Sequence, residues 1–443
     1  MEKDLLSLIK KAGIVGAGGA GFPTHAKLNA KAEYVIINGA ECEPLLRVDQ
    51  QLMALHTKEI LDALSLVVEH VGAKHGIVAL KSKYKEAISS VQSIIGNYDK
   101  LQLFELENFY PAGDEQVLVY EVTGRIVPEG GIPLNVGAIV SNVETMFNIY
   151  NAYYYEKPVT DKYVTVTGAV NNTKTLKLPI GMSVKKAIEL AGGTSLTDFV
   201  VINGGPMMGK VVDIDSTITK TTKGLIVLPK DHSLVKDLQK DIGKMLKDAK
   251  TSCMHCSHCS EVCPRGLIGH AIQPHKMMRI ASYGSLCDNN ISTVNAYLCC
   301  GCRLCEYACI MNLQPWKLNN FLKQTMRQNN IKNTCNNKPE KAHPFREFKR
   351  YPVNKLIRQL GLTEFDRKSP LEDKIIDEDS VTILMNQHIG KPCAVAVKVG
   401  DKVQKGDLVG IIDKNSLGSN IHASISGIIK EIKDNKVVIV SDK

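Results

Sequence analysis

The sequence lacks the long apolar runs that a membrane protein needs. No stretch of its 443 residues approaches the 18 or more consecutive apolar residues of a membrane span. The first residues, MEKDLLSLIKKAG, alternate acids, bases and leucines, and they have neither the apolar core nor the small-residue cleavage site of a signal peptide. We therefore expect a cytoplasmic chain without a membrane span.

Aromatic residues are also scarce, at 5% of the chain with one tryptophan. The net charge is +9, from 55 Lys and Arg against 46 Asp and Glu, and much of the excess lies in residues 317–350. Basic patches can bind nucleic acid through its phosphates, but this stretch is rich in asparagine, poor in aromatics and carries no reader motif. We expect no nucleic-acid partner, and we interpret the segment as a solvated tail or a docking face for an acidic partner.

Strand and helix patterns alternate over residues 33–123. Short apolar strands read YVIIN, HGIVAL and LQLFEL, with helical segments between and after them. This alternation predicts right-handed parallel crossovers and a doubly wound α/β sheet. Ligands of such sheets bind beyond the carboxyl ends of the strands, which singles out the loops NGAECEP (38–44) and YPAGDEQ (110–116).

Two later segments are rich in short strands. Residues 163–229 place strands around one helix, SVKKAIELAG, and predict a small β-grasp-like domain whose GGPMMG stretch is a tight turn rather than a ligand cradle. Residues 377–443 carry the half-motifs GDKVQKGD and SISG, which resemble the flattened barrel of biotinyl and lipoyl carrier domains. Carriers hold their cofactor on a lysine where this chain has Ser416, so we expect a structural barrel.

A glycine-rich stretch, GIVGAGGAGFPTHAKL, begins at Gly13. It contains GxGxxG at Gly16, Gly18 and Gly21, but a helical segment precedes it where a dinucleotide-binding turn has a strand, and Phe22 and a proline follow it. The pattern therefore argues against a literal Rossmann turn. Glycines still let the backbone approach a phosphate or a ring closely, and a flexible hinge is the alternative.

The stretch SNVETMF (141–147) predicts the start of a helix. Ser141 and Glu144 have the spacing of a capping box, which explains both residues by helix initiation alone. Asn142 has no part in that box. We expect it to face a ligand at the helix N-terminus.

The chain has thirteen cysteines, and a reducing compartment makes a disulfide framework improbable. Eight of them form two runs with the spacing CxxCxxCxxxC, which is the bacterial ferredoxin signature of a 4Fe–4S cluster. A proline follows the first run, and Ile310 takes its place after the second. The runs are Cys253, Cys256, Cys259 and Cys263, and Cys299, Cys302, Cys305 and Cys309.

Zinc is the alternative metal, since four thiolates suit it. Structural zinc sites usually pair two CxxC knuckles across a dozen or more residues, so the close triple spacing favours iron–sulfur clusters. Two such runs predict crossed ligation, in which the fourth cysteine of each run binds the other cluster. We expect no ligand role for the cysteines outside the runs in this half of the chain, Cys287, Cys300, Cys335 and Cys393.

Together these motifs resemble a known family. GAGGAGFPTHAKL, NGAECEP, AGDEQ and SNVET are similar to the flavin and NADH site of the flavin-bearing subunit of respiratory complex I, in the version found in the RnfC protein of Rnf complexes. The RnfC protein carries its barrel before the glycine loop, whereas here the barrel closes the chain. That order resembles the cobalamin reductases of propanediol-utilisation microcompartments, the PduS type.

The resemblance implies a site for FMN and NADH. Phe22 would stack on the nicotinamide nucleotide, and Glu43 and Glu115 match acidic positions near NADH. Lys27 would offset the flavin's phosphate or developing negative charge, with an ordinary surface lysine as the alternative. Complex I has an aspartate at the position of Ala40 and a serine at that of Cys42. The implied flavin contacts are Gly18, Gly19, Lys27, Asn38, Asp114 and Asn142.

The resemblance also implies a function. Flavin converts between the two electrons of NADH and the single electrons of an iron–sulfur cluster, so we expect an NADH-dependent reductase that uses FMN and two 4Fe–4S clusters. Its implied acceptor is a corrinoid, free or bound to an adenosyltransferase, and its implied place is the cytoplasm or a bacterial microcompartment. The alternatives are a peripheral subunit of an Rnf-like NADH:ferredoxin complex, and an iron–sulfur electron carrier without catalysis. No side chain is assigned an acid, base or nucleophile role.

The expected fold class is α/β multidomain. Its parts are a Rossmann-like FMN- and NADH-binding domain, a β-grasp (SLBB-like) domain, a helical two-cluster ferredoxin domain, a basic linker and a barrel-sandwich domain of the biotinyl and lipoyl type. Their expected bounds are 1–155, 160–230, 233–330, 331–374 and 375–443.

Overall fold

The computed structural model describes residues 4–283 and 291–442. Within these ranges, helices and strands form a mixed α/β protein with one parallel sheet, one mixed sheet, a helical region and a small β-barrel. No helix in the described ranges is long and apolar enough to cross a membrane.

The first region is the doubly wound sheet that the alternating pattern predicts. Four parallel strands lie in the order β3-β2-β1-β5, so the chain reverses its direction of winding at β1. The strands are β1 (Tyr34–Gly39), β2 (His75–Lys81), β3 (Leu101–Leu106), the short β4 (Phe109–Tyr110) and β5 (Ala138–Asn142). The helices are α1 (Leu5–Lys11), α2 (Thr24–Leu28), α3 (Val48–Leu55), α4 (Thr57–His70), α5 (Lys85–Ile94), α6 (Glu115–Thr123) and α7 (Val143–Tyr155).

The two faces of this sheet are covered differently. On one face α4 buries Ile60, Leu64 and Val68, which recur every four residues and so form one helical stripe. The other face packs against α6 and against Ile268, a residue of the later cysteine region. The cysteine region is therefore part of the hydrophobic layer that covers the sheet.

The second region is a mixed six-stranded sheet in the order β12-β7-β6-β10-β8-β9, with one helix on it. Its edge strand β12 (Leu371–Glu372) comes from a later part of the chain. Its strands and helix lie where the sequence pattern predicts them, except that β9 and β12 were not expected. They are β6 (Asp161–Gly168), β7 (Lys174–Pro179), α8 (Val184–Leu190), β8 (Phe199–Asn203), β9 (Lys210–Val212) and β10 (Gly224–Pro229).

The third region is helical and carries the cysteine runs. Its helices α10, α13 and α16 pack through a small apolar core that includes Met245, Met277 and Leu322. The helices are α9 (Ser233–Gln239), α10 (Ile242–Ser252), α11 (His258–Glu261), α12 (Pro264–Leu267), α13 (Pro274–Tyr283), α14 (Ile291–Val294), α15 (Leu304–Tyr307) and α16 (Pro315–Gln328).

The interpretation of the basic segment as a solvated tail is wrong for its C-terminal part. The side chains of Arg346 and Arg350 are mostly buried, and both form ion pairs with Glu121 of the first region. Residues beyond 350 form three elements that join existing sheets and cores. These elements are β11 (Tyr351–Pro352), which pairs with β4, α17 (Val353–Gln359), and β12 (Leu371–Glu372), which extends the six-stranded sheet.

The last region is a small barrel built from two sheets, in the orders β13-β19-β18-β15 and β14-β16-β17. It touches the glycine-rich stretch, because Ile389 N donates to Gly21 O (3.1 Å). Buried Lys220 donates to Gly13 O (2.6 Å) and to Asn420 O of the barrel (2.6 Å). The strands are β13 (Ser380–Leu384), β14 (Ala394–Val395), β15 (Lys402–Val403), β16 (Leu408–Ile411), β17 (Ile421–His422), β18 (Gly427–Lys433) and β19 (Lys436–Val440).

Candidate functional site

The two loops singled out by the sheet topology meet beyond β1. Asn38 Nδ2 donates to Gly113 O (2.8 Å), and Gly113 N donates to Cys42 Sγ (2.7 Å). A side chain at position 113 would crowd this junction, since its Cβ would lie 3.0 Å from the Cys42 sulfur and 3.1 Å from the Asn38 oxygen. The backbone of one loop therefore lies directly against the side chains of the other.

The glycine-rich stretch lies beside this junction and follows helix α1 instead of a strand, as the sequence indicates. Its first half is anchored, because Ala17 N donates to Thr145 Oγ1 (3.0 Å) and Lys162 Nζ donates to Ala17 O (3.2 Å). Residues 18–20, in its middle, are exposed. Gly18 lies against Asn142, where a Cβ would come within 2.8 Å of the amide nitrogen, and Gly19 has nothing within 4 Å of a Cβ position.

This open backbone fits a cofactor that must approach closely. Gly18 and Gly19 are exposed, and Phe22 close to them is 36% exposed. A glycine cradle beside a partly bare ring suits a phosphate and a planar heterocycle.

Lys27 and Glu115, both predicted for the nucleotide site, are brought together. Lys27 Nζ donates to Glu115 Oε1 (3.1 Å) and to Val140 O (2.8 Å). The lysine belongs to α2 and the glutamate begins α6, so the pair joins the glycine-rich stretch to the loop 110–116.

Asp114 has two roles at the N-terminus of α6. Its Oδ1 accepts hydrogen bonds from the backbone N–H groups of Gln116 and Val117 (3.2 Å each), which caps the helix. Its Oδ2 forms an ion pair with Arg265 (2.8 Å), and both side chains are largely buried. Because Arg265 lies two residues after Cys263, this pair connects the sheet end to the first cysteine run.

The capping box predicted for Ser141 and Glu144 is wrong. Asn142 is the N-cap of α7, since its Oδ1 accepts from Glu144 N (3.0 Å). The Glu144 carboxylate points elsewhere, where it pairs with the buried ammonium of Lys162 and accepts from Tyr163 N (3.1 Å). The capping box does not form because the buried Lys162 of β6 pairs with the Glu144 carboxylate instead.

Asn142 also contacts a buried charge network that sequence reasoning missed. Its amide donates to both carboxylate oxygens of Asp49 (3.1 and 2.9 Å), and Asp49 pairs with Lys223. Glu41 accepts from Asp49 N (2.9 Å), and burial together with the Asp49 charge raises the pKa of Glu41. Glu41 lies in the loop NGAECEP, and its place in that loop was the only feature of the sequence that pointed to Glu41 as a site residue.

Glu43 contacts the mixed sheet of the second region. Its Oε2 accepts from Met207 N (2.8 Å), within the GGPMMG turn. A Cβ at Gly205 would lie 2.0 Å from this oxygen, so the turn needs glycine at that position. Burial raises the pKa of Glu43 to about 7, and the N–H groups of Met207 and Met208 oppose that rise.

The first three cysteines of run one lie together with the last cysteine of run two. A cavity near the surface is lined by Cys253, Cys256, Cys259 and Cys309, which we call the outer set. Burial and the neighbouring thiols of Cys309, Cys253 and Cys256 raise the pKa of Cys259 to about 12. Cys256 is exposed, and the rim of the cavity includes the exposed side chains of Met254 (66%) and Ile310 (62%).

The remaining run cysteines, Cys263, Cys299, Cys302 and Cys305, form the inner set. Burial, followed by the thiols of Cys299, Cys259 and Cys263, raises the pKa of Cys305 well above its usual range. Tyr110 of the loop 110–116 donates from its hydroxyl to Cys302 O (3.0 Å). The inner set is therefore deeper than the outer set and nearer to the sheet end.

The inner set suits a polynuclear cation. Burial raises the pKa of its thiols, which therefore need positive charge to ionise, and iron supplies it. Asn319 is 0% exposed and lies at Cys299, where its side-chain hydrogen bond opposes the rise in the thiol pKa that burial causes. No three His, Cys, Asp or Glu side chains within residues 4–283 and 291–442 are spaced to hold a single metal ion.

The two cysteine loops have the same backbone shape. Ser257 and Arg303, each directly after the second cysteine of its run, have φ of +63° and +65°. The residues before those cysteines, His255 and Gly301, have φ of +53° and +73°. A left-handed conformation at matching positions indicates that each loop wraps its ligand in the same way. Cys287 lies outside the described residues, and Cys300, Cys335 and Cys393 are free thiols. The Cys300 thiol contacts Cys302 of the inner set, so its lack of a ligand role stays a prediction.

Family models match each region of the chain. The Nuo51 FMN-binding domain matches residues 9–151, the SLBB domain 163–211, the 4Fe-4S dicluster domain 252–314 and the RnfC barrel sandwich hybrid domain 362–442. These matches confirm the predicted fold class and the predicted cofactors, FMN and two 4Fe–4S clusters. Together with the relatives described next, they show an NADH-linked electron-transfer oxidoreductase, so the alternative of a non-catalytic carrier is not supported.

Named relatives cover the chain to different extents. Cobalamin reductase PduS of Citrobacter freundii is 39% identical over 98% of this chain and 95% of its own length. The protein of the same name from Salmonella typhimurium is 38% identical over the same shares. A subunit of the Na⁺-translocating ferredoxin:NAD⁺ oxidoreductase complex of Acetobacterium woodii is 35% identical over 60% of this chain and 58% of its own. The chain therefore belongs to the PduS cobalamin reductase family.

Proposed function

We propose that this protein takes electrons from NADH at the sheet end and delivers them to a corrinoid at the outer cysteine set. The observation that carries the proposal is the ion pair between Asp114 and Arg265 (2.8 Å), with the hydrogen bond from Tyr110 to Cys302 O (3.0 Å) beside it. Through these contacts the loop expected to bind flavin touches the inner set directly. The two relatives that cover nearly the whole chain are named cobalamin reductases, which supports the corrinoid as acceptor.

FMN would be held where the glycine-rich stretch, the loop 38–44 and the loop 110–116 meet. When bound, FMN supplies the conversion between a two-electron hydride donor and one-electron clusters. The open backbone of the glycine-rich stretch, the two loop junctions and the N-cap of α7 support this placement. The residues proposed to hold it are Gly18, Gly19, Lys27, Asn38, Asp114 and Asn142.

NADH would bind against the same opening. Phe22 is partly exposed beside the glycine-rich stretch and offers an aromatic face. Glu115 forms an ion pair with Lys27, and Glu43 accepts a hydrogen bond from the GGPMMG turn. We propose these three residues as the nucleotide contacts, with Glu43 acting from the junction of two regions.

The outer set is the proposed exit for electrons. It is the set with an exposed ligand, Cys256, and a cavity at the surface, whereas Cys263, Cys302 and Cys305 of the inner set are each at most 8% exposed. We therefore propose that an acceptor as large as a corrinoid approaches the outer set. We also propose, as the resemblance implies, that the corrinoid is presented by an adenosyltransferase and that the protein works in the cytoplasm or in a microcompartment.

The test is an anaerobic assay of NADH oxidation by the purified holoprotein. Cob(III)alamin, ferredoxin and an adenosyltransferase-bound corrinoid are offered separately, after FMN and iron have been quantified. We expect faster NADH oxidation with at least one corrinoid. Acceleration by ferredoxin alone would refute the corrinoid assignment and favour the Rnf-like alternative. The relative of that type matches 60% of the length of this chain at 35% identity.

A further inference from the structure

Three lysines are almost completely buried, and one of them lacks a partner. Lys162 (2% exposed) pairs with Glu144, and Lys220 (2%) donates to two carbonyl oxygens. Lys81 (1%) has neither a hydrogen bond nor an ion pair from its ammonium within the described part of the chain. A lysine that is buried at a binding site and has no anionic partner in the protein is suited to pair with a bound anion.

Lys81 is placed at the end of the sheet where the cofactor site lies. It is the last residue of β2, at the carboxyl end of the strand. Ala79 is in register with Asn38 on β1, and side chains two residues apart on a strand share a face, so Lys81 projects on the same face as Asn38. The Lys81 charge also acts on the Cys42 thiol, where it opposes the rise in pKa that burial causes.

Other cations are close to this ammonium. Burial lowers the pKa of Lys83 to about 8, and the charges of Lys81 and Arg47 add to that effect. Arg47 is paired with Asp366, so part of this positive charge is neutralised within the protein. Lys81 has no such ion pair in the described residues, and its charge acts on Cys42 of the loop junction.

The topology separates this charge from the N-terminus of α7 across the proposed flavin site. Strand β1 lies between β2 and β5, so Lys81 and the N-terminus of α7 lie on opposite sides of β1. A helix N-terminus favours a phosphate, and α7 has 13 residues with its N-terminus beside the glycine-rich stretch. A flavin whose phosphate lies there would extend its ring across β1 towards β2.

We propose that Lys81 contacts the flavin ring and stabilises the negative charge that the ring gains on reduction. Hydride transfer from NADH delivers two electrons and one proton, so NAD⁺ is released and the neutral ring becomes an anion. An ammonium at the ring edge binds this anion more tightly than the neutral oxidised ring. The inference rests on the flavin position in the proposed function.

The test compares Lys81→Met and Lys81→Arg with the wild type, and uses Lys58→Met as control because the Lys58 side chain is 72% exposed on α4. The affinity for oxidised FMN is measured by fluorescence quenching, and the midpoint potential of bound FMN by anaerobic spectroelectrochemistry. For Lys81→Met we expect nearly unchanged affinity for oxidised FMN and about tenfold weaker binding of the reduced form. That ratio lowers the potential of a two-electron couple by about 30 mV. Lys81→Arg and Lys58→Met should stay near the wild-type potential.

A second measurement separates this role from a structural one. Removing an unpaired buried ammonium relieves a desolvation cost, so the apoprotein of Lys81→Met should unfold at the wild-type temperature or above it. A wild-type potential in Lys81→Met, an equal loss of affinity for both redox states, or a less stable apoprotein would each overturn the inference. A wild-type protein that bound no FMN would instead refute the proposed function before the variants are compared.

Discussion

The buried ion pair between Lys162 and Glu144 gives a sharp stability prediction. The two side chains are 2% and 1% exposed, and they join β6 of the mixed sheet to α7 of the parallel sheet. Lys162→Met leaves the Glu144 carboxylate buried with only the N–H of Tyr163 as partner. Removing one member of a buried pair costs about 3–5 kcal/mol, because the remaining charge is uncompensated. Exposed pairs are worth about 0–1 kcal/mol.

The assay is thermal unfolding of the apoprotein, with Lys58→Met as control. Lys58 forms an ion pair with Asp62 on α4, and its side chain is 72% exposed. At about 2–4 °C per kcal/mol for a unit of 150–250 residues, Lys162→Met should lower the unfolding temperature by about 6–20 °C. Lys58→Met should lower it by no more than about 4 °C. The double variant Lys162→Met/Glu144→Gln should recover part of the loss. Equal effects of the two single lysine variants would refute the reasoning.

Three further outcomes follow from the site. Burial raises the pKa of Glu43 to about 7, so the stability that the protonated Glu43 side chain contributes is complete below about pH 4.5 and is lost as the pH rises through about 7. Glu43→Gln should abolish this pH-dependent loss of stability. Unfolding temperatures measured from pH 5 to 8 test this. Arg265→Met leaves the largely buried Asp114 unpaired and should weaken FMN binding about tenfold or more at unchanged iron content. Arg265→Lys should restore much of the FMN affinity. Fluorescence quenching measures the affinity, and metal analysis measures the iron content. Cys305→Ser should disturb the inner cluster and reduce the iron content by up to half, with intact FMN binding, which anaerobic metal analysis tests.

The local elements of this fold could be predicted from the sequence. The alternation of apolar strand patterns and helical patterns predicted β1, β2 and β3 along the chain, because the hydrophobic pattern of each element is visible in a short stretch of sequence. The cysteine spacing likewise predicted two loops, and both have the same left-handed residues. Such features depend on neighbours in the chain, and the sequence shows those neighbours directly.

Long-range electrostatic contacts could not be read in this way. Arg265 meets Asp114 from 151 positions away, and Lys223 meets Asp49 from 174 positions away. The basic segment was interpreted as a solvated tail because its charge is visible in the sequence, whereas its partner, Glu121, lies in another region. The missing partner of Lys81 is likewise visible only after folding has fixed which side chains surround it.

The central claim is that electrons leave through the outer set. The most direct measurement is the NADH oxidation rate of the double variant Cys256→Ser/Cys309→Ser, with FMN and inner-set iron retained. It is measured once with a small dye that accepts electrons from flavin and once with a corrinoid. The account predicts a wild-type rate with the dye and a loss of corrinoid reduction of at least a hundredfold. Corrinoid reduction at the wild-type rate in this variant would contradict it.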